Sequence, residues 1–139
     1  MVDLRSYRKW FYAAAAYNFV WGALVSVMPN LLFTWLRMPI PNYSSLMECI
    51  GMIVGVYGLG YLLVARDPER FGPFAWIGLL GKVLGPLGFI WAAATGQLPW
   101  RFGWLNVTND LIWLPVFIPF SVAVAKREIA TYRESTSQT

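Results

Sequence analysis

The sequence contains no histidine and only one cysteine among its 139 residues. The first absence excludes a His-based catalytic triad, a bis-histidine haem and the usual zinc sites. The second excludes a CxxC redox pair and an intrachain disulfide. Cys49 is more typical of a small packing residue than of a nucleophile, because apolar surroundings disfavour the thiolate. We therefore expect no metal site and no haem or zinc cofactor.

Charge is also scarce: 13% of the residues are charged, against about 25% in a typical soluble domain, while 58% are hydrophobic. A helical bilayer crossing needs about 20 mostly apolar residues, and four segments meet that requirement, at about 10–28, 46–65, 74–95 and 102–125. We predict one all-α domain over 1–139, an integral membrane four-helix bundle. A polar C-terminal tail follows at about 126–139.

The few basic residues are unevenly distributed between the two ends of the predicted helices. Arg37 and Arg101 lie in the loops at one end, whereas eight Lys and Arg lie at the end that holds both termini. The eight are Arg5, Arg8, Lys9, Arg66, Arg70, Lys126, Arg127 and Arg133. Cytoplasmic loops carry such an excess, so the prediction places both termini in the cytoplasm. The net charge of +4 is then a signal of topology, and we expect the lipid bilayer, not nucleic acid, as the partner.

Lys82 lies within "GLLGKVLGPLG", an otherwise uncharged run. A Walker A phosphate loop would need glycine at Trp76 and Ser or Thr at Val83, so no nucleotide site is indicated. The run is better explained as the middle of the third predicted helix. Pro86 has no N–H to bond the carbonyl of Lys82, four residues earlier, so a kink and a free carbonyl are expected at the lysine.

Three ionisable residues fall inside the predicted helices: Glu48, Lys82 and Asp110. A lone charge at mid-bilayer costs about 2.5–3.5 kcal/mol on insertion scales, so such residues face the bundle interior and find partners. At helical spacing, Glu48 shares a face with Gly51 and Lys82 shares one with Gly85. We expect these polar faces to point at one another and form a buried cluster of all three side chains.

Amide side chains are predicted to contribute to the same region. Asn106 and Asn109 are close in sequence to Asp110, whereas Asn18 on the first helix is expected to lie too near the cytoplasm to join. The cluster is either an ion-pair network that fixes helix packing, or a small pocket for a quinone, a lipid headgroup or protons. One positive charge against two negative ones favours an additional cation, a second donor or a protonated carboxyl group.

The run "MECIGMIVGVYGLGYLLVARDPERFGPFAWIGLLGKVLGPLGF", with "GQLPW" and "NDLIWLPVFIPF" after it, resembles small bacterial membrane proteins with four helices. More distantly, the size and glycine-rich character are similar to the DoxX-like families, some of which are small membrane subunits of redox systems. The resemblance implies the fold and a bacterial inner (plasma) membrane location. Some such proteins are described as alkyl hydroperoxide reductases, but that chemistry requires a redox partner for the cysteine, and Cys49 has none.

Three functions remain open at this point. The first is a small accessory or binding subunit, linked to a quinone or redox process through a partner in a membrane complex. The second is a proton-coupled transporter or permease, which would be a homo-oligomer because four short helices enclose little space. The third is a membrane enzyme that uses the carboxylates as acid and base, which we favour least.

Overall fold

The computed structural model describes residues 2–137, in which all regular structure is helical. The helices are α1 (Arg8–Val27), α2 (Leu31–Trp35), α3 (Ser44–Arg66), α4 (Pro68–Phe71), α5 (Phe74–Ala94), α6 (Gly103–Asn109) and α7 (Leu114–Thr136). Short 3₁₀ turns precede α1, α6 and α7. Asp67 begins α4 by accepting a hydrogen bond from the backbone N–H of Arg70, as capping aspartates do.

Four helical segments are long and apolar enough to cross a membrane: Leu4–Val27, Ser44–Arg66, Phe74–Ala94 and Trp100–Thr136. The first three agree with the predicted segments to within a few residues at most ends. The fourth is not the single helix predicted over 102–125, because the chain leaves the α-helix between α6 and α7. Beyond it, α7 continues through most of the predicted polar tail to Thr136, and residues 138–139 lie outside the described part.

Helices α1 and α3 form an antiparallel pair whose backbones nearly touch. A Cβ atom at Gly22 would lie 2.6 Å from the carbonyl oxygen of Gly51, so only glycine allows this approach. Two side chains of α1 use the proximity: Asn18 donates to the carbonyl of Val54 and Ser26 to that of Glu48, each at 3.3 Å. Small residues with short polar side chains are the usual means of joining helices in an apolar medium.

The second pair, α5 and α7, meets the first through aromatic rings. Phe11 on α1 contacts Phe117 and Phe120 of α7 with centroids 4.9 and 4.6 Å apart, and Tyr61 of α3 contacts Phe117 at 5.1 Å. All four rings are buried. Trp76 of α5 donates to the carbonyl of Ser121 on α7 at 3.1 Å. This aromatic core joins all four long segments near α4.

Polar contacts close both ends of the bundle. At the end that holds α4, Glu69 accepts from Arg127 of α7 at 3.3 Å and lies 3.6 Å from Arg5. At the opposite end, the α2 end, Arg101 donates to the carbonyl of Arg37 at 2.8 Å. Arg37 has a φ of 51°, which is uncommon for a non-glycine residue. At each end of the bundle, these contacts join the α1–α3 half of the structure to the α5–α7 half.

Replacing Gly22 by Ala should separate α1 from α3, because the added methyl group meets backbone atoms of Gly51 and Gly55 within 3.0 Å. We expect the free energy of unfolding to fall by about 1–3 kcal/mol, measured by thermal unfolding in mild detergent. Gly88→Ala is the control, since a Cβ there meets nothing within 4 Å. Equal melting temperatures for the two variants would contradict the close approach.

Candidate functional site

The site is built around the break in the fourth long segment. Helix α6 ends at Asn109. It is followed by Asp110 and a 3₁₀ turn over Leu111–Trp113, and α7 starts at Leu114. Pro115 in the first turn of α7 has no N–H for the carbonyl of Leu111. In a continuous α-helix the N–H of Trp113 would bond the carbonyl of Asn109, but here it bonds that of Asp110 at 3.1 Å. The last carbonyls of α6 therefore need other donors.

Two side chains supply those donors. The ammonium group of Lys82 on α5 donates to the carbonyl of Asn109, with Nζ and O 2.7 Å apart. The indole N–H of Trp113 donates to the carbonyl of Thr108 at 3.1 Å. Broken helices are tolerated in an apolar interior where neighbouring groups satisfy the freed carbonyls in this way. Lys82 therefore stabilises the break in the helix.

Lys82 is only 5% exposed, and aromatic rings surround its ammonium group. The Nζ atom lies 5.2 Å from the ring centroid of Phe117, 5.7 Å from that of Tyr61 and 5.8 Å from that of Trp113. All three distances are within the range of cation–π attraction. Gly78, one turn before Lys82, permits this arrangement, since a Cβ there would lie 2.7 Å from the Tyr61 ring.

Lys82 faces a cavity of about 250 Å³ between α1, α3, α5 and the end of α6, which we call the lysine cavity. Asn18, Tyr57, Asn109 and Asp110 also line it. The carboxylate of Asp110 lies over Gly85, with Oδ2 3.0 Å from where a Cβ of that residue would be. In residues 2–137 the ion pairs are those of Glu69, so Lys82 and Asp110 share the cavity without pairing directly.

The lysine cavity opens sideways between α3 and α5. Ile53 and Gly81, which line it on those two helices, are both exposed, Ile53 by 57%. Towards α4 the same helices close together, because the ring of Phe74 lies directly over Gly60. A molecule would therefore enter from the side of the bundle, between apolar helix faces.

A second cavity, of about 180 Å³, lies on the other side of Asp110 towards the α2 end. Asn109 and Asp110 line both cavities. The second cavity is otherwise mostly apolar, with Trp21, Leu32 and Leu105 in its wall and the amide of Asn106 as an additional polar group. Asp110 thus lies between two spaces that share only Asn109 and Asp110 in their walls.

No family model, curated protein or solved structure matches the chain. The resemblance to DoxX-like proteins remains a prediction. No group of three or more His, Cys, Asp or Glu residues within 2–137 is placed to hold a metal ion.

The predicted cluster of Glu48, Lys82 and Asp110 is only partly formed. The structure brings Lys82 and Asp110 to one cavity but leaves out Glu48, which lines neither cavity. The reason is the orientation of α3: the glycine face that Glu48 was expected to share with Gly51 is turned towards α1, not towards α5. Glu48 contributes its backbone carbonyl, which accepts from Ser26.

The amides are also distributed differently from the prediction. Asn109 lines the lysine cavity and binds Lys82 through its backbone carbonyl, whereas Asn106 lines the second cavity and an apolar groove between α5 and α6. Asn18 was expected to lie too far away, but it is buried and lines the lysine cavity. An amide within an apolar run was a usable signal for Asn18. Tyr61 and Trp113 had no such signal, because aromatic residues occur throughout the sequence.

Replacing Trp113 by Phe should leave the carbonyl of Thr108 without its donor. We expect a loss of about 0.5–1.5 kcal/mol in the free energy of unfolding, the net contribution of a typical hydrogen bond, measured by thermal unfolding in mild detergent. Trp104→Phe is the matched control, since Trp104 is 66% exposed and should change stability by less than about 0.5 kcal/mol. Similar losses in both variants would show that the indole N–H does not support the break.

Proposed function

We propose that the chain is an integral membrane binding subunit whose lysine cavity holds the polar head of a lipid-soluble molecule, of the quinone class. One observation carries the proposal: an ammonium group and a carboxylate line the same cavity without forming an ion pair. Buried charges are costly unless they are paired and hydrogen-bonded. A polar molecule between Lys82 and Asp110 would satisfy both.

The chemistry of the two groups indicates what that molecule must offer. The ammonium of Lys82 has three N–H donors, and one is used on the carbonyl of Asn109. The others can donate to a carbonyl or phenolic oxygen. No hydrogen bond from residues 2–137 reaches the carboxylate of Asp110, which can accept from a hydroxyl group. A quinone offers carbonyl oxygens when oxidised and hydroxyl groups when reduced, so both of its forms suit the cavity.

The size and the opening of the cavity favour an amphipathic ligand. About 250 Å³ is below the 300 Å³ or so at which pockets for whole drug-sized molecules begin, so the cavity takes a head and not a long tail. The tail would leave between α3 and α5, past Ile53 and Gly81. In a bilayer that opening would face the lipid, where an isoprenoid tail is soluble.

Membrane placement is part of the proposal. The four apolar segments and the excess of Lys and Arg beside both termini support a multi-pass protein of the bacterial inner membrane with cytoplasmic termini. As a binding subunit, the chain would present its ligand to a redox partner or to a second copy in the same membrane. A native mass spectrum from mild detergent would report either assembly.

Cysteine labelling tests the topology. In a Cys49→Ala background, we expect a cysteine at Gln97 to react with a membrane-impermeant maleimide added to intact spheroplasts, because the α5–α6 loop would face outwards. A cysteine at Tyr132 should react only after lysis, because that position would be cytoplasmic. Both positions are exposed, so accessibility within the fold is matched. The reverse pattern would overturn the proposed orientation.

Binding is tested by titrating a quinone with a short isoprenoid tail into the protein in nanodiscs and following tryptophan fluorescence quenching. Gly81→Leu should fill the opening without strain, since a Cβ there meets nothing within 4 Å. We expect it to raise the Kd by about tenfold or more, equivalent to about 1.4 kcal/mol. Lys82→Met should weaken binding to a similar extent by removing the donor.

Gly88→Leu is the matched control for Gly81→Leu. Gly88 lies on the same helix, its added Cβ also meets nothing within 4 Å, and it lines neither of the two cavities. It should leave the Kd unchanged. Saturable binding that Gly81→Leu and Lys82→Met both leave intact would place the quinone elsewhere and reject the proposed function.

A further inference from the structure

We infer that Asp110 exchanges protons with the aqueous phase at the α2 end through the second cavity, by a route separate from the opening between α3 and α5. The observation is geometric: Asp110 lines both cavities, and the second cavity takes its walls from α1, α2, α3 and the α6 region, with no described residue of α5 among them. The inference goes beyond ligand binding and does not depend on it. The break in the helix then has a second role, because it places the carboxyl group of Asp110 in contact with both cavities.

The position of the second cavity defines the route. Its walls come from Leu32 of α2, from Met47 and Ile50 in the first two turns of α3, and from Leu105 of α6. All of these lie towards the α2 end. Asp110 lies at the inner limit of that space, because it also lines the lysine cavity. A proton travelling inwards from the α2 end therefore reaches Asp110 before it reaches Lys82.

Polar groups in the second cavity allow water to carry the proton. A buried water needs two to four polar partners, and its share of liquid volume is about 30 Å³. Asn106, Asn109 and Asp110 supply polar atoms in a space of about 180 Å³, which is room for a few waters. Among the described residues that line this cavity, Asp110 has the only ionisable side chain. A proton that enters here therefore meets one ionisable side chain among these lining residues.

The other groups around Asp110 can be named from each neighbouring helix. Lys82 of α5 and the phenols of Tyr57 and Tyr61 of α3 line the lysine cavity with it. Tyr17 of α1 interacts with it electrostatically. Of the described residues, only Lys82 adds another charge to either cavity, and its ammonium is bound to the Asn109 carbonyl. The carboxylate is therefore the group that exchanges with the second cavity.

The test follows protonation of Asp110 by infrared spectroscopy, with the full chain in nanodiscs and no quinone present. The band to follow is the carboxyl C=O stretch that disappears in Asp110→Asn. Its rate of appearance after a rapid drop in pH is compared between variants. Leu105→Trp should fill the second cavity and slow the appearance severalfold. Leu105→Ala should enlarge the cavity and speed it, so the inference stays testable if the Trp variant does not fold.

Two controls separate this route from the ligand opening. Leu87→Trp adds the same ring at a position that is exposed and lines neither cavity, so it should leave the rate unchanged. Gly81→Leu, which should block quinone binding, should also leave the rate unchanged. Slowing by Gly81→Leu with no effect of either Leu105 variant would overturn the inference. A spectrum without an Asp110 carboxyl band at any pH at which the protein stays folded would also overturn it.

Discussion

The structure depends on one hydrogen bond, from the ammonium group of Lys82 to the carbonyl of Asn109. An apolar interior offers no water to a freed carbonyl, so a helix can break there only where another group takes its place. Lys82 crosses from α5 to do this, and the rings of Tyr61, Trp113 and Phe117 enclose the donor. The three features therefore depend on one another: the break frees a carbonyl, Lys82 donates to that carbonyl, and the aromatic rings hold the ammonium group in place.

That bond also decides the charge of the site. Because the ammonium binds a neutral carbonyl and not a carboxylate, the carboxyl group of Asp110 faces both cavities without an ion pair. Glu48 lies outside, so the lysine cavity holds one positive and one negative group, not the surplus negative charge expected from the sequence. Opposite charges that share a cavity offset each other at longer range. Such a site suits a neutral molecule with polar ends better than it suits an ion.

The sequence predicts the helical segments well, since the hydropathy and the length of each apolar run can be read directly from the residues in it. It also predicts that Lys82 and Asp110 face the same interior space, because charged side chains in apolar helices turn inwards, although the two form no ion pair. It does not predict which neighbour a helix face meets: Gly51 and Glu48 share a face, but that face packs against α1. Pro115 and Pro119 predict a distortion of the fourth segment, but not a break that begins ahead of both, at Asp110. Proline is common in apolar helices, and its position does not specify how far a distortion extends.

Both cavities follow from the way two differently built halves are joined. The α1–α3 pair is rigidly packed through Gly22 and Gly51, whereas α5 and the broken segment are held by side chains that reach for backbone carbonyls. Glu69 ties the halves at the α4 end and Arg101 ties the loops at the α2 end. Between these ties, Gly81 has no side chain to fill the gap between α3 and α5, and space is left beside Lys82. A site between clamped ends is reached from the side of the bundle, which is the direction from which a molecule dissolved in lipid would come.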